Sequence, residues 1–173
     1  TGTVQQARVQ LARLETIESL DDFSAWLRQD RAWICAFDFP FGLPRELVQT
    51  LDWPLKWHDC MAHYASLSRA QVRDTFAAFC NARPAGRKFA HRATDVPAGS
   101  SSSMKWVNPP VAYMLHAGVP RLIDAGVSLP GLGHPSADPS RVALEGYPGL
   151  LARELLGTSP RSYKNDAKAL QTP

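Results

Sequence analysis

Cysteine is scarce in this chain: Cys35, Cys60 and Cys80 are the three residues of that type, and no two are closely spaced. An odd count without Cys-x-x-Cys spacing argues against both a disulfide framework and a zinc site. A reducing, cytoplasmic setting is the expectation that follows. No apolar run approaches the roughly 20 residues that span a bilayer, and no signal-peptide pattern is visible, so no membrane partner is expected. Familiar catalytic signatures are missing as well. Neither Gly-x-Gly-x-x-Gly nor Gly-x-x-x-x-Gly-Lys-Ser/Thr occurs, which leaves dinucleotide and P-loop nucleotide sites without support. The chain has no Gly-x-Ser-x-Gly elbow for a serine hydrolase. It also lacks His-Glu-x-x-His, and His58 and His63 do not share a helical face, so catalytic zinc is not expected.

What is present is an ordinary globular composition. The chain has 173 residues, 45% hydrophobic and 20% charged, enough for one domain with a sizeable core. Its formal net charge of +3 permits a polyanionic partner without requiring one. The sequence begins at Thr1 and stops at Pro173 after a basic, helix-like stretch, and both ends read as cut.

Strand and helix patterns alternate, which predicts an α/β fold. Residues 3–14 alternate loosely and read as a half-exposed strand; Ser19 to Asp22 then offer capping residues before Phe23, Trp26 and Leu27. The unbroken apolar run from Ala32 to Phe37 predicts a strand covered on both faces. Helices are expected at about 44–52, 54–66 and 68–82. Residues 83–108, with Gly, Pro and the serines Ser100 to Ser103, read as a long loop whose serines form a flexible linker. A helix over about 109–125 follows, bent or broken at Pro120. An irregular stretch covers 126–140, then come a short strand over 141–144 and a helix from Pro148 or Gly149 to Leu156.

Two segments share a layout of buried strand, carboxylate, aromatic and proline: Asp38 closes the first and Glu145 the second. In open α/β sheets ligands bind beyond the carboxyl ends of the strands. If the two strands are parallel neighbours, about 4.8 Å apart, the carboxylates repel unless a hard divalent cation stands between them. Mg²⁺ or Mn²⁺ is therefore the expected cofactor, with Asp38 and Glu145 as ligands. The competing structural reading makes Asp38 a turn cap and pairs Glu145 with an arginine. The 83–108 loop carries Arg83, Arg87, Lys88, Arg92 and Lys105 against the single acid Asp95, with Phe89, His91 and Trp106 interleaved. Such a mixture suits phosphate backbones and stacked bases of DNA or RNA. Here the competing reading is a solvated loop whose arginines answer the acidic stretch Glu15–Asp30. Lys164, after the last helix, is a further candidate phosphate contact.

The run Ala36-Phe37-Asp38-Phe39-Pro40-Phe41-Gly42-Leu43-Pro44 resembles the Asp-x-Pro-x-Gly-Leu-Pro signature of a bacterial and archaeal family of unknown function, numbered four hundred and twenty-nine. Leu144-Glu145-Gly146-Tyr147-Pro148 with Tyr163-Lys164 is similar to that family's later block. Lys88 to Arg92 and Met104 to Pro110 look like its proteobacterial branch, so the likeness spans roughly residues 20–170. The resemblance implies a single ribonuclease H-like domain over 1–173, three-layered, with a central mixed sheet flanked by helices and a helical insertion at about 44–82. It also implies a predicted metal-dependent nuclease, in which Asp38 matches a strand-end metal ligand; Glu145, an unusual position for such a ligand, ranks second at the metal, and the reading of the basic residues adds Lys88, His91, Arg92, Lys105 and Lys164 as candidate substrate contacts. The first-strand and last-helix acids of such sites have no counterpart here. Two rivals remain open: a nucleic-acid-binding or regulatory module without catalysis, and a hydrolase of a small phosphorylated substrate.

Overall fold

The computed structural model describes residues 2–5, 8–132 and 138–156. They form a mixed α/β structure built on a three-stranded parallel sheet, with seven helices among the described residues. The strands of that sheet are β3 (Trp33–Phe37), β4 (Val127–Ser128) and β5 (Asp138–Glu145), in the order β3-β5-β4. A separate hairpin, β1 (Gly2–Gln5) with β2 (Arg8–Leu11), takes the place of the single strand expected over 3–14.

Helix α1 (Leu20–Leu27) starts where its cap dictates: the Ser19 side chain accepts from the Asp22 amide at 3.0 Å. It lays Phe23 and Trp26 on the sheet, with ring centroids 6.0 Å from Phe37 and 5.4 Å from Trp33. Helices α2 (Arg45–Thr50), α3 (Trp57–Ser66) and α4 (Arg69–Asn81) follow as expected between 44 and 82. Ser68 and Gln71 close a reciprocal capping box on α4, whose Val72, Phe76, Phe79 and Cys80 are buried. Tyr64 of α3 stacks on Phe76 at 5.9 Å, and its hydroxyl donates to the Ala112 carbonyl at 2.9 Å. Helix α6 (Val111–Asp124) runs through the centre of this core, burying Ala112, Leu115, Val119 and Leu122. Between α4 and α6 lies the short α5 (Asp95–Ala98), and α7 (Pro148–Leu156) follows β5.

Other expectations are corrected in whole or in part. The first strand is not covered on both faces: its burial alternates, with Phe37 inside and Ile34 75% exposed. Leu144 of β5 is likewise 42% exposed, so one face of the sheet packs on helices and the other meets solvent. The serine run is no linker, because Ser102 and Ser103 are buried and the Ser102 hydroxyl bonds to the Ala90 carbonyl. Residues 83–108 are a long loop, interrupted by one short helix and pinned to the core where Ala90, Asp95 and Met104 are also inside. Pro120 does not end its helix. Proline removes one amide donor, and Arg121 of the next position gives a side-chain N–H to the Ala117 carbonyl at 2.7 Å. Finally, β4 sits in the stretch expected to be irregular, its two residues held by pairing with β5.

Candidate functional site

Strands β3 and β5 are parallel neighbours, with Phe37 opposite Glu145. The expected meeting of two strand ends is therefore present, and Asp38 follows one residue beyond the last pair. The two ends are tied by the Gly146 amide, which donates to the Phe37 carbonyl at 2.9 Å. The turn after Asp38 is held from both sides at Phe41. Its amide donates to Glu145 Oε2 at 3.0 Å, and its carbonyl accepts from Trp57 Nε1 at 2.6 Å. Phe39 of the same turn lies against Gly118 of α6, where a β-carbon would come within 2.5 Å of the ring. A glycine at that point is what lets the aromatic turn seat on the helix.

Arg92 reaches this rim from the basic segment. Its two terminal nitrogens donate to the two oxygens of Glu145, at 2.8 and 2.6 Å. The same guanidinium bonds Asp95 through Nε at 2.9 Å and Nη2 at 2.8 Å, and the Arg92 amide donates to Asp95 Oδ2 at 2.9 Å. Asp95 is wholly buried, and the Arg92 side chain is 17% exposed. Burial works against the arginine's charge, but the hydrogen bonds and negative charges of Glu145 and Asp95 outweigh it, and the Arg92 pKa stands above its ordinary value. A planar fork facing two carboxylates is the arrangement for which arginine, and not lysine, is suited.

Asp38 differs from Glu145. Both are exposed, but the Asp38 carboxylate has no hydrogen bond or ion pair to the described residues. Nor do other groups complete a metal set: among the described residues no three His, Cys, Asp or Glu side chains are placed to hold an ion. Mg²⁺ or Mn²⁺ asks for several free oxygen ligands, and at this rim Glu145 commits its oxygens to Arg92 and the Phe41 amide.

Of the proposed substrate contacts, Lys88 and His91 are exposed and Lys105 is half-buried. Arg92 is turned inward to its two acids, and Lys164 lies outside the described residues. Phe89 and Trp106, both half-buried, form a tilted pair 5.7 Å apart beside Lys88 and Lys105. Arg83 bonds Glu46, and its Nε donates to the Arg87 carbonyl at 2.7 Å. The acids that answer Arg83 and Arg92 are therefore Glu46, Asp95 and Glu145, not the stretch Glu15–Asp30. Asp95 is the residue that reading along the chain undervalued. Its spacing three residues after Arg92 was the available signal, and the pair stands as an i,i+3 ion pair in the structure.

No family model matches the chain, and neither the curated proteins nor the solved structures include a match to it.

Proposed function

We propose that this chain is a nucleic-acid-binding module, with the segment 83–106 as its contact surface. The observation that carries the reading is a charge imbalance at the surface. Arg87, Lys88 and His91 are exposed beside the Phe89–Trp106 pair, while Asp95, the segment's acid, is buried against Arg92. The exposed Arg87 and Lys88 therefore keep their field, and the half-buried Phe89–Trp106 pair stands next to them. Phosphates and unstacked bases of DNA or RNA are the ligands such a surface takes. Lys105 and Lys164 belong to the same proposal as further phosphate contacts.

The test is fluorescence anisotropy of labelled single-stranded and duplex oligonucleotides across a salt series. With about three phosphates neutralised, affinity is expected to fall roughly tenfold or more between 50 and 200 mM salt. Lys88→Ala and Arg87→Ala should each lower the slope of log affinity against log salt by about 0.7 for single strands. Binding that ignores salt and both variants would remove the proposal.

A second reading has one observation in its favour. Asp38 is a solvent-facing carboxylate at the carboxyl end of a parallel strand, the position from which α/β sheets present ligands. With the sequence resemblance, it supports a ribonuclease H-like fold and Mg²⁺- or Mn²⁺-dependent phosphodiester hydrolysis. Cleavage of an oligonucleotide panel by wild type, lost in Asp38→Asn at unchanged melting temperature, would establish that reading over the first. Salt-sensitive binding without cleavage would leave the first standing.

A further inference from the structure

We infer that Arg92 is a built-in counter-ion: its guanidinium, shared with Asp95, takes at Glu145 the place the sequence implies for a divalent cation, and Glu145 is its anchor and not a metal ligand. The argument is one of oxygen accounting. A carboxylate offers about four lone-pair positions. Glu145 has three of them filled, two by the Arg92 fork and one by the Phe41 amide. A cation arriving at Glu145 would have to displace a two-point, charge-assisted contact. It would also leave the guanidinium, already largely out of water, with Asp95 alone.

The pairing points the same way, because Glu145 and Asp95 share one arginine. The acid paired with Glu145 is not the one at the end of the neighbouring strand. It is Asp95, from a segment 50 residues away in the chain, brought there on the arginine (145 − 95). This arrangement also makes Arg92 a positioning residue. Arg92 holds Glu145, Glu145 holds the Phe41 amide, and Phe41 fixes the turn that begins at Asp38. The guanidinium thus joins the α5 start to the β5 end, and Glu145 carries the connection on to the turn after β3. The inference does not rest on the nucleic-acid reading, since it concerns which cation occupies the rim.

The experiment is a cation titration of the full chain. Thermal melting of wild type should be the same with and without millimolar Mn²⁺ or Mg²⁺. In Arg92→Met, where the guanidinium is gone and both carboxylates remain, Mn²⁺ should raise the melting temperature. The double variant Arg92→Met, Glu145→Gln should lose that rise. A rise in wild type that Glu145→Gln abolishes would show Glu145 to be a metal ligand and overturn the inference. An Arg92→Met protein indifferent to Mn²⁺ would also overturn it. Because Arg92→Met can fail to fold, a second measurement uses wild type alone. Paramagnetic Mn²⁺ should leave the amide resonances of Phe41, Glu145 and Gly146 unbroadened, and selective broadening of these three would sink the idea.

Discussion

Gly118 and Arg92 are two positions, beside Glu145 and Trp57, that bear on how the turn after β3 is held. At Gly118 the missing methyl leaves room for the Phe39 ring, which also packs 5.6 Å from both Phe37 and Phe41. Gly118→Ala forces that ring out of the cluster, even though alanine favours the helix. The expected net loss is about 1–3 kcal/mol by chemical denaturation, the usual cost of overpacking. At Arg92 the loss is of charge. Arg92→Ala leaves a wholly buried Asp95 without its cation, and removal of one partner from a buried pair costs about 3–5 kcal/mol. Arg92→Lys should recover only part of this in the same denaturation measurement, because an ammonium cannot bridge two oxygens of one acid and also reach the other. The places of Asp38 and Glu145 at the ends of apolar runs were legible in the sequence. Their difference was not, because an arginine 53 residues from Glu145 makes it (145 − 92).

Elements with their own local signals were legible in the sequence. Helix α4 is such a case: serine at the cap, glutamine three residues on, and apolar residues at helical spacing all agree with the fold. Ser68→Ala should cost about 1 kcal/mol, read from the denaturant midpoint. The cost falls on one amide and one helix end, so the native near-ultraviolet spectrum should stay the same. Elements that depend on a distant neighbour were harder to read. Strand β4 has two residues and no periodicity of its own, and it exists because β5 offers it hydrogen-bond partners. The apolar run of β3 suggested cover on both sides, yet Ile34 faces solvent. Hydrophobic character states a preference for burial, and the supply of covering elements is set elsewhere in the chain. The same reason explains Ser102 and Ser103, whose polarity suggested exposure. Ser102 is buried with its hydroxyl bonded to Ala90, which offsets the cost of removing it from water.

For the molecule as a whole, pH provides a further test. Asp138 opens β5 and accepts from the Ser140 hydroxyl at 2.6 Å and the Ser140 amide at 2.8 Å, with Arg141 Nε at 2.8 Å. The Ser140 hydroxyl, the Ser140 amide and the Arg141 bond together lower its pKa to about 2 from an ordinary value of 3.8. A carboxylate with a depressed folded-state pKa stabilises the fold above its unfolded value, and that stabilisation disappears as pH falls through the folded one. Wild type should therefore melt above Asp138→Asn at neutral pH, with the two curves converging as pH drops from near 4 towards about 2. Arg141 also donates to the Leu27 carbonyl at 3.1 Å, so this corner joins β5 to the end of α1. A constant difference across the acid range would mean that Asp138 acts through packing and not through its charge.

The sequence by itself determined the α/β class, the main helices and the acid-bearing turn at residues 38–44, because capping, periodicity and proline act over a few neighbouring residues. Only the tertiary structure decided what each charge at the rim meets. Coulomb attraction and hydrogen-bond geometry depend on distance in space, and the chain order that separates Arg92 from Glu145 carries no record of that distance.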